Sequence, residues 1–296
     1  IMAYTTIDDP AEYFESLIWS GNSTDDRAIS GLDFAPNFVW IKCRNNAQNH
    51  NLFDTVRGAT ESLESNNTNT ENTDATSLKS FTSDGYTLGT GATVNSSSPS
   101  TKTYVGWNWK ESATAGFDIV TYTGNDTART ISHSLSAVPH FMIVRNRSEV
   151  SGDGAWQVYH GANTAAPETD YLQLAISNPT EDSAVIWNDT APTSSVFSVG
   201  SHLTVNGDGN AMLAYLWSEK QGFSKFGSYV GNGSTDGPFL WCGFRPAWFM
   251  TKRTDSSGDW RIRDIAREPH QPLDAPFYAN TAIVENDGDN DWDVVS

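Results

Sequence analysis

The sequence contains few cysteines, few basic residues and no long apolar run, and each of these absences excludes a class of protein. Cys43 and Cys242 are the two cysteines among 296 residues, whereas a small secreted protein held together by disulfides needs many more. Because no stretch of about 18 apolar residues occurs, no membrane-spanning helix is predicted. The first residues lack the basic start and apolar stretch of a signal peptide, so no leader is expected.

The charge balance excludes a general nucleic-acid binder. The chain has 18 lysines and arginines against 36 aspartates and glutamates, which gives a formal net charge of −18. Proteins that bind nucleic acid through its phosphates need a basic surface. A strongly negative chain instead keeps a repetitive β-rich surface soluble and discourages non-specific association.

Motifs for common enzyme chemistry are also missing. The sequence has no P-loop, no G-x-S-x-G nucleophile turn and no dinucleotide fingerprint. Its six histidines do not show the H-x-x-x-H spacing of a zinc site. A protein without catalytic residues and without an organic cofactor is therefore predicted.

A long internal repeat is the strongest feature that is present. Each copy runs from an aromatic residue through a Gly-Asn turn to a proline, and then to an apolar strand that ends near an arginine. The turn glycines and the prolines both recur after 103 and then 107 residues, at Gly21, Gly124 and Gly231 and at Pro36, Pro139 and Pro246. Since a unit of about 105 residues has the size of a small domain, we expect a string of similar domains.

The repeat gives the expected domain organisation. Residues 1–13 are interpreted as an N-terminal docking segment, 14–116 as repeat 1, 117–222 as repeat 2 and 223–296 as repeat 3. Repeat 3 stops before the positions at which repeats 1 and 2 have their last predicted strands. We therefore expect the natural chain to continue beyond Ser296, the alternative being completion by another chain.

The local patterns predict strands. Val105, Trp107 and Trp109 alternate with small or polar residues, which is typical of a strand with one apolar face. The continuous runs "FVWI" and "FMIV" predict strands that are buried on both faces. Residues 117–131 are interpreted as a hairpin that turns at Gly124, and Asp9 is expected to cap a short helix. The predicted fold is all-β, with tandem antiparallel, jelly-roll-like β-sandwich domains.

A glycosidase needs two carboxylates across a cleft, and several acidic residues could form such a pair. The candidates are Asp54, Asp84, Asp118, Asp264 and Glu268. Two of them are followed three residues later by arginine, at Arg57 and Arg267, whereas repeat 2 has His160 and Asn163 in those places. A structural Asp–Arg pair is the simpler interpretation.

One acidic loop near the end of the sequence is a candidate metal site. Asp287, Asp289 and Asp291 alternate in "ENDGDNDWD", and hard oxygen ligands at that spacing can hold Ca²⁺. An acidic solvated turn is the alternative. Calcium is the one metal that the sequence predicts.

Several blocks of the repeated sequence also resemble a known family. "MAYTTIDDPAEYFESLIWSGN" at the start, "PNFVWIKCRN", "LFDTVRGA" and above all "GFSKFGSYVGNGSTDGPFLWCGFRPAWFMTKRTDSSGDW" are similar to tandem-repeat tail fibre and virion structural proteins of tailed, often marine, bacteriophages. The resemblance covers nearly the whole chain. It implies a virion protein located in a tail or surface appendage, and a homo-oligomer such as a trimer.

Three functions follow from the sequence and the resemblance together. The leading one is a tail fibre or similar appendage that recognises the host surface without catalysis, with exposed tryptophans stacking on a host glycan or contacting a host protein, and with residues 1–13 joining other virion proteins. A capsid head fibre or decoration protein is the first alternative. A polysaccharide-degrading tail spike enzyme is the second.

Overall fold

The computed structural model describes residues 4–148, 156–285 and 292–295. All of its sheets are antiparallel, and the three helices among the described residues have four residues or fewer. The all-β prediction is therefore confirmed. No helix in the described ranges is long and apolar enough to cross a membrane.

Repeat 1 forms two sheets. Its strands are β1 (Phe14–Ser20), β2 (Arg27–Ser30), β3 (Phe38–Cys43), β4 (Asn51–Asp54), β5 (Gly58–Leu63), β6 (Asn72–Thr73), β7 (Leu78–Thr82), β8 (Gly85–Leu88) and β9 (Thr103–Trp109). The large sheet has the order β1-β9-β3-β4-β5-β6, and the small sheet has the order β2-β8-β7. A 3-10 helix at Pro10–Glu12 precedes them, and Asp9 caps it as predicted.

Repeat 2 has the same plan. Its elements are β10 (Phe117–Thr123), β11 (Arg129–Ser132), β12 (Phe141–Asn146), β13 (Trp156–His160), β14 (Asp170–Gln173), β15 (Glu181–Asp182), α1 (Ala184–Trp187), β16 (Val196–Val199), α2 (Leu203–Asn206) and β17 (Ala211–Trp217). The large sheet has the order β10-β17-β12-β13-β14-β15, and β11 pairs with β16. The large sheets of repeats 1 and 2 therefore match strand by strand, whereas the second sheet of repeat 2 has no strand at the place of β7 among its described residues.

Repeat 3 contributes one sheet of three strands. These are β18 (Trp248–Thr251), β19 (Arg261–Asp264) and β20 (Phe277–Tyr278), in that order. They correspond to β3, β4 and β5 of repeat 1, because Trp248 pairs with Asp264 as Phe38 pairs with Asp54.

The predicted hairpin at residues 117–131 is wrong. Strand β10 pairs with β17 in the large sheet, whereas β11 pairs with β16 in the second sheet. The Gly-Asn turn carries the chain from one sheet to the other across a close backbone contact. A Cβ atom on Gly124 would lie 2.0 Å from the carbonyl oxygen of Gly207, so only glycine fits there.

The central strands are buried on both faces, as the apolar runs predicted. All six residues of β3 and all six of β12 are buried. The outer face of each large sheet packs on the smaller sheet of its own repeat, around Val39 and Tyr86 in repeat 1 and around Met142 and Phe197 in repeat 2. Repeats 1 and 2 thus each have an outer core.

The inner faces of the three repeats share one core. One continuous cluster contains Phe38 and Trp107 of repeat 1, Ile143 and Tyr215 of repeat 2, and residues of repeat 3 such as Ile262. Aromatic rings meet across the repeats: the centroids of Phe38 and Tyr215 are 4.3 Å apart. Since burial of apolar surface is the main stabilising term, the three repeats stabilise one another.

Candidate functional site

The three repeats meet in a closed ring of three joints. At each joint, a ring N–H group at the start of β4, or of its counterpart β13 or β19, donates to a backbone carbonyl of the neighbouring repeat. The three carbonyls occupy equivalent positions in their repeats. Trp156 Nε1 donates to the Glu64 carbonyl (2.9 Å), Trp260 Nε1 donates to the Gln173 carbonyl (2.8 Å), and His50 Nε2 lies 3.1 Å from the Tyr278 carbonyl. Repeat 2 therefore contacts repeat 1, repeat 3 contacts repeat 2, and repeat 1 contacts repeat 3.

A second set of contacts repeats the same cycle through the backbone. The amide of Glu71 donates to the Arg147 carbonyl, that of Glu285 to the Arg44 carbonyl and that of Thr180 to the Thr254 carbonyl, at 3.0, 2.8 and 2.9 Å. The three donors occupy equivalent positions in their repeats, and so do the three acceptors. The chain is thus pseudo-threefold in its joints as well as in its strands.

A cation at one further equivalent position crosses each joint. Lys42 Nζ and Lys252 Nζ donate to the carbonyls of Ala282 and Ser177 (both 3.3 Å), and Arg145 donates to the Asn69 carbonyl. Burial lowers the pKa of Lys42 and Lys252 to about 8 and that of Arg145 to about 10. The desolvated cations are held by carbonyl oxygens, which are the acceptors such donors need.

The joint between repeats 1 and 2 contains a buried ionic cluster. Asp54 pairs with Arg57, and both side chains are fully shielded from solvent. Glu71 Oε1 accepts from Arg57 Nη1 (2.9 Å) and from Arg147 Nε (2.9 Å). Tyr215 of repeat 2 donates its hydroxyl to Asp54 Oδ2 (2.7 Å). The carboxylate of Asp54 thus binds both its own repeat and the neighbouring one.

The joint between repeats 1 and 3 copies this cluster. Asp264 pairs with Arg267 (2.6 Å), and Glu285 accepts from both Arg267 (3.1 Å) and Arg44 (2.6 Å). Trp107 Nε1 donates to Asp264 Oδ2 (3.0 Å), in the place of Tyr215. Asp54–Arg57 and Asp264–Arg267 are therefore ion pairs, as interpreted from the sequence. Their aspartates also accept hydrogen bonds from a neighbouring repeat.

In the joint between repeats 2 and 3, called here the neutral joint, uncharged side chains replace this ionic cluster. His160 and Asn163 stand where the other joints have aspartate and arginine, and Thr180 stands where they have glutamate. Thr180 Oγ1 donates to Asn163 Oδ1 (2.7 Å), which replaces the Glu–Arg contact. The fourth position also loses its charge, since Thr254 stands at the place of Arg44 and Arg147. The departures of repeat 2 from the pattern are coordinated across one interface.

The remaining candidate carboxylates are not brought together. Asp118 is buried and accepts from the backbone N–H groups of Ile119 (3.0 Å) and Ser134. Asp84 lies in an exposed turn. Glu268 Oε1 accepts from the amides of Asp274 (2.7 Å) and Ala275 (2.9 Å), and burial raises the pKa of its carboxyl group.

A shallow open cavity of about 440 Å³ lies beside the joint between repeats 1 and 3. Its lining combines acidic, basic and apolar side chains: Arg44, Asn45, Glu268, Asp274, Ala275, Val284 and Glu285. Arg44 and Glu285 are paired with each other there. Glu268 and Asp274 are thus the cavity carboxyl groups that do not belong to the joint.

Glu111 makes stability depend on pH. Burial, together with the neighbouring Asp118, raises the pKa of its carboxyl group to about 7. A raised folded-state pKa means that its stabilising contribution is complete below the unfolded value of about 4.3 and is lost as pH rises through about 7.

We therefore expect Glu111→Gln to flatten this dependence. Urea unfolding at pH 5 and pH 8 should show wild type losing on the order of 1 kcal/mol more than the variant over this interval. An equal pH dependence in both proteins would contradict the assignment. Glu61→Gln is the matched control, because the hydrogen bond between the Glu61 carboxylate and Thr73 is exposed to solvent.

The calcium candidates Asp287, Asp289 and Asp291 lie outside the described residues. Among the residues that are described, no group of three or more His, Cys, Asp or Glu side chains is arranged to hold a metal ion. The calcium hypothesis stays a prediction.

Most tryptophans are in the core, as expected, and one is exposed. Trp40, Trp156, Trp187 and Trp260 are buried, whereas 74 % of Trp241 is accessible. Periodicity could not assign these five, because the sheet contacts that bury four of them come from other repeats or from the second sheet. Trp241 is therefore the tryptophan available to an external ligand.

The N-terminal segment lies against repeat 3. Tyr4 donates its hydroxyl to the Gly243 carbonyl (3.0 Å), and Tyr13 packs edge-on against Phe223 with centroids 6.2 Å apart. Ile7 is 3 % exposed. Part of the segment predicted to dock on other proteins is thus packed on its own chain.

A family model described as "Domain of unknown function (DUF7483)" matches residues 9–296, so the chain belongs to this family. No curated protein and no solved structure matches the chain.

Proposed function

We propose that this DUF7483 member is a structural protein of a bacteriophage particle, in a tail fibre or similar appendage, and that it contributes to host surface recognition without catalysis. The proposal takes its virion setting from the resemblance of the repeated blocks. Its tandem jelly-roll-like units of about 105 residues are part of the same proposal.

The observation that carries it is the use of the acidic and basic side chains at the joints. Asp54, Arg57 and Glu71 are engaged with one another and with repeat 2. Their counterparts join repeats 1 and 3. A repeated motif that serves assembly supports an architectural role, because every charge in it already has a partner.

The exposed aromatic side chains support a contact role. Trp241 and Phe239 are 74 % and 72 % accessible, and exposed indole rings stack on sugar faces and contact protein surfaces. A homotrimer would present three copies and multiply weak binding. The proposed partners are a host glycan or protein, and other virion proteins bound through residues 1–13.

Labelling of intact virions tests the proposal. Gold-tagged antibody against repeat 2 should mark fibres or the tail tip, and free protein should reduce adsorption of phage to host cells. Trp241→Ala should weaken this competition, with Trp187→Phe, a buried change, as the control. Absence of the protein from purified virions would refute the proposal.

A capsid decoration protein is distinguished by the same images. Gold spread over the head, together with unchanged adsorption in the presence of free protein, would replace the appendage by a head fibre or decoration protein. Binding of a residue 1–13 peptide to capsid rather than tail proteins would lead to the same conclusion.

A tail spike enzyme is the second candidate, because the open cavity contains Glu268 with a raised carboxyl pKa. A carboxyl group whose pKa is raised is better suited to general acid catalysis of glycoside cleavage than an ordinary one. Loss of host exopolysaccharide viscosity that Glu268→Gln abolishes and Asp84→Asn leaves intact would establish this reaction. Unchanged viscosity with wild type would exclude it.

A further inference from the structure

The three cations that cross the joints are not equally provided with acceptors. Lys42 Nζ donates to the carbonyl of the next residue (3.0 Å) and to that of Ala282 (3.3 Å). Lys252 Nζ likewise donates to the carbonyl of the next residue (2.6 Å) and to that of Ser177 (3.3 Å). Each ammonium group therefore has two carbonyl oxygens, one from its own repeat and one from the neighbouring repeat.

Arg145, at the equivalent position of repeat 2, has a single acceptor for its guanidinium group. Its Nη2 donates to the Asn69 carbonyl of repeat 1. Its Nε and Nη1 atoms are buried and have no hydrogen-bond acceptor among the described residues. The Nε–H bond and both N–H bonds of Nη1 are therefore unsatisfied, and buried donors without an acceptor cost free energy.

These donors are also shielded from bulk water. The side chain of Arg145 is 0 % exposed. Its guanidinium carbon lies 5.2 Å from the ring centroid of Trp156, and its backbone is paired with β13 on one side and with β17 on the other. Because a buried charge needs a partner, the acceptor for these N–H groups has to be enclosed together with them.

The surrounding charges leave Arg145 in excess. Arg57 is paired with both Asp54 and Glu71, and Arg147 is paired with Glu71. Two arginines thus balance two carboxylates, and Arg145 adds one further positive charge to this joint. An arginine keeps its proton at neutral pH, whereas the two joint lysines, whose pKa is about 8, can release theirs. The excess charge is therefore permanent.

We propose that the joint between repeats 1 and 2 binds a small inorganic anion, such as chloride, through the free donors of Arg145. The anion accepts N–H bonds that no described protein oxygen accepts, and it neutralises the excess charge. A fully enclosed guanidinium is closed to the carboxylate or phosphate of a macromolecular partner, so the ligand is a free ion. Since Arg145 also holds the Asn69 carbonyl, the bound anion stabilises the contact between the two repeats. The inference does not depend on a virion location.

A chloride titration of the whole chain tests it. Urea unfolding is followed by tryptophan fluorescence at increasing sodium chloride, with sodium gluconate added to keep the ionic strength constant. An ion that binds the folded state alone stabilises it as its concentration exceeds the dissociation constant. We expect the equilibrium constant of unfolding to fall by about tenfold between about 1 mM and about 100 mM chloride. Bromide should have the same effect.

Two arginine variants locate the effect. Arg145→Lys introduces the residue that repeats 1 and 3 have at this position, so the variant should fold and its stability should no longer depend on chloride. Arg253→Lys makes the same change in an ion pair whose side chains are 60 % and 76 % accessible, and it should keep the chloride dependence of wild type. The same comparison separates a specific site from general effects of salt, which both variants share.

Crystals of the wild-type protein grown in bromide give an independent measurement that needs no variant. We expect an anomalous scattering peak within hydrogen-bond distance of Nη1 or Nε of Arg145. Ordered water at that place without an anomalous peak would overturn the proposal. It would also be overturned by stability that does not respond to chloride, or by an equal response in wild type and Arg145→Lys.

Discussion

Asp54→Ala should lower the free energy of unfolding by about 3–5 kcal/mol, because it removes a buried ion-pair partner of a buried cation. The side chain of Arg57 is 0 % exposed and would keep Glu71 as its one carboxylate partner. The hydroxyl of Tyr215, 2.7 Å from Asp54 Oδ2 in wild type, would lose its acceptor in the core. Urea unfolding followed by tryptophan fluorescence measures the effect.

An exposed ion pair in the same chain provides the control. Arg253 and Asp255 are paired at 2.7 Å with side chains that are 60 % and 76 % accessible, so Asp255→Ala should leave the free energy of unfolding nearly unchanged. The quadruple variant Asp54→His/Arg57→Asn/Glu71→Thr/Arg147→Thr copies the neutral joint. We expect it to lie within about 2 kcal/mol of wild type, since no lone buried charge remains. A quadruple variant less stable than Asp54→Ala would contradict the joint as described.

Exchange of two core residues should show a large non-additive effect. Trp40 and His50 occupy the positions that Ile143 and Trp156 have in repeat 2, with the large and small side chains interchanged. Trp40→Ile alone leaves a cavity and should cost about 3 kcal/mol. His50→Trp alone overpacks the same space and should cost about 2 kcal/mol.

The double variant Trp40→Ile/His50→Trp should recover most of this loss. Its indole can donate to the Tyr278 carbonyl as Trp156 donates to that of Glu64. We expect a coupling free energy of about 2 kcal/mol or more from the double-mutant cycle. Additive losses would show that the two positions do not share one packing site, and would contradict the equivalence of the joints.

The same variant should also change the response to acid. In wild type Trp40 Nε1 donates to His50 Nδ1 (2.9 Å), which leaves Nε2–H to donate to the Tyr278 carbonyl. Burial first, and then the charge of Lys42, hold the pKa of His50 well below its ordinary value. A depressed folded-state pKa contributes stability that is present above about pH 6.5 and is lost as pH falls below it. The double variant lacks this term, so its stability should fall less between pH 7 and pH 5 than that of wild type.

The sequence predicted the local structure better than the assembly. The matching positions of glycine and proline located equivalent strands, and the apolar runs "FVWI" and "FMIV" identified β3 and β12 as strands buried on both faces. Both signals are local. The hairpin prediction failed because a Gly-Asn turn marks a close backbone contact in this fold, and nothing within residues 117–131 shows that the contacting backbone is Gly207.

The contacts between repeats could not be predicted from the sequence alone. The Asp–Arg spacing predicted an ion pair within one repeat, but its binding to Tyr215 or Trp107 of another repeat depends on how the inner faces pack. The neutral joint was visible in the sequence only as isolated departures at His160 and Asn163. The meaning of these changes becomes clear when Thr180 and Asn163 are placed in contact.

The three repeats form one body around a shared core, and hydrogen exchange under increasing denaturant tests this most directly. Strands β3, β12 and β19 each belong to a different repeat and each border that core. We predict that their amides lose protection at the same urea concentration, as a single cooperative unit does. Loss of protection in one repeat at a lower concentration, while the other two stay protected, would contradict the shared core.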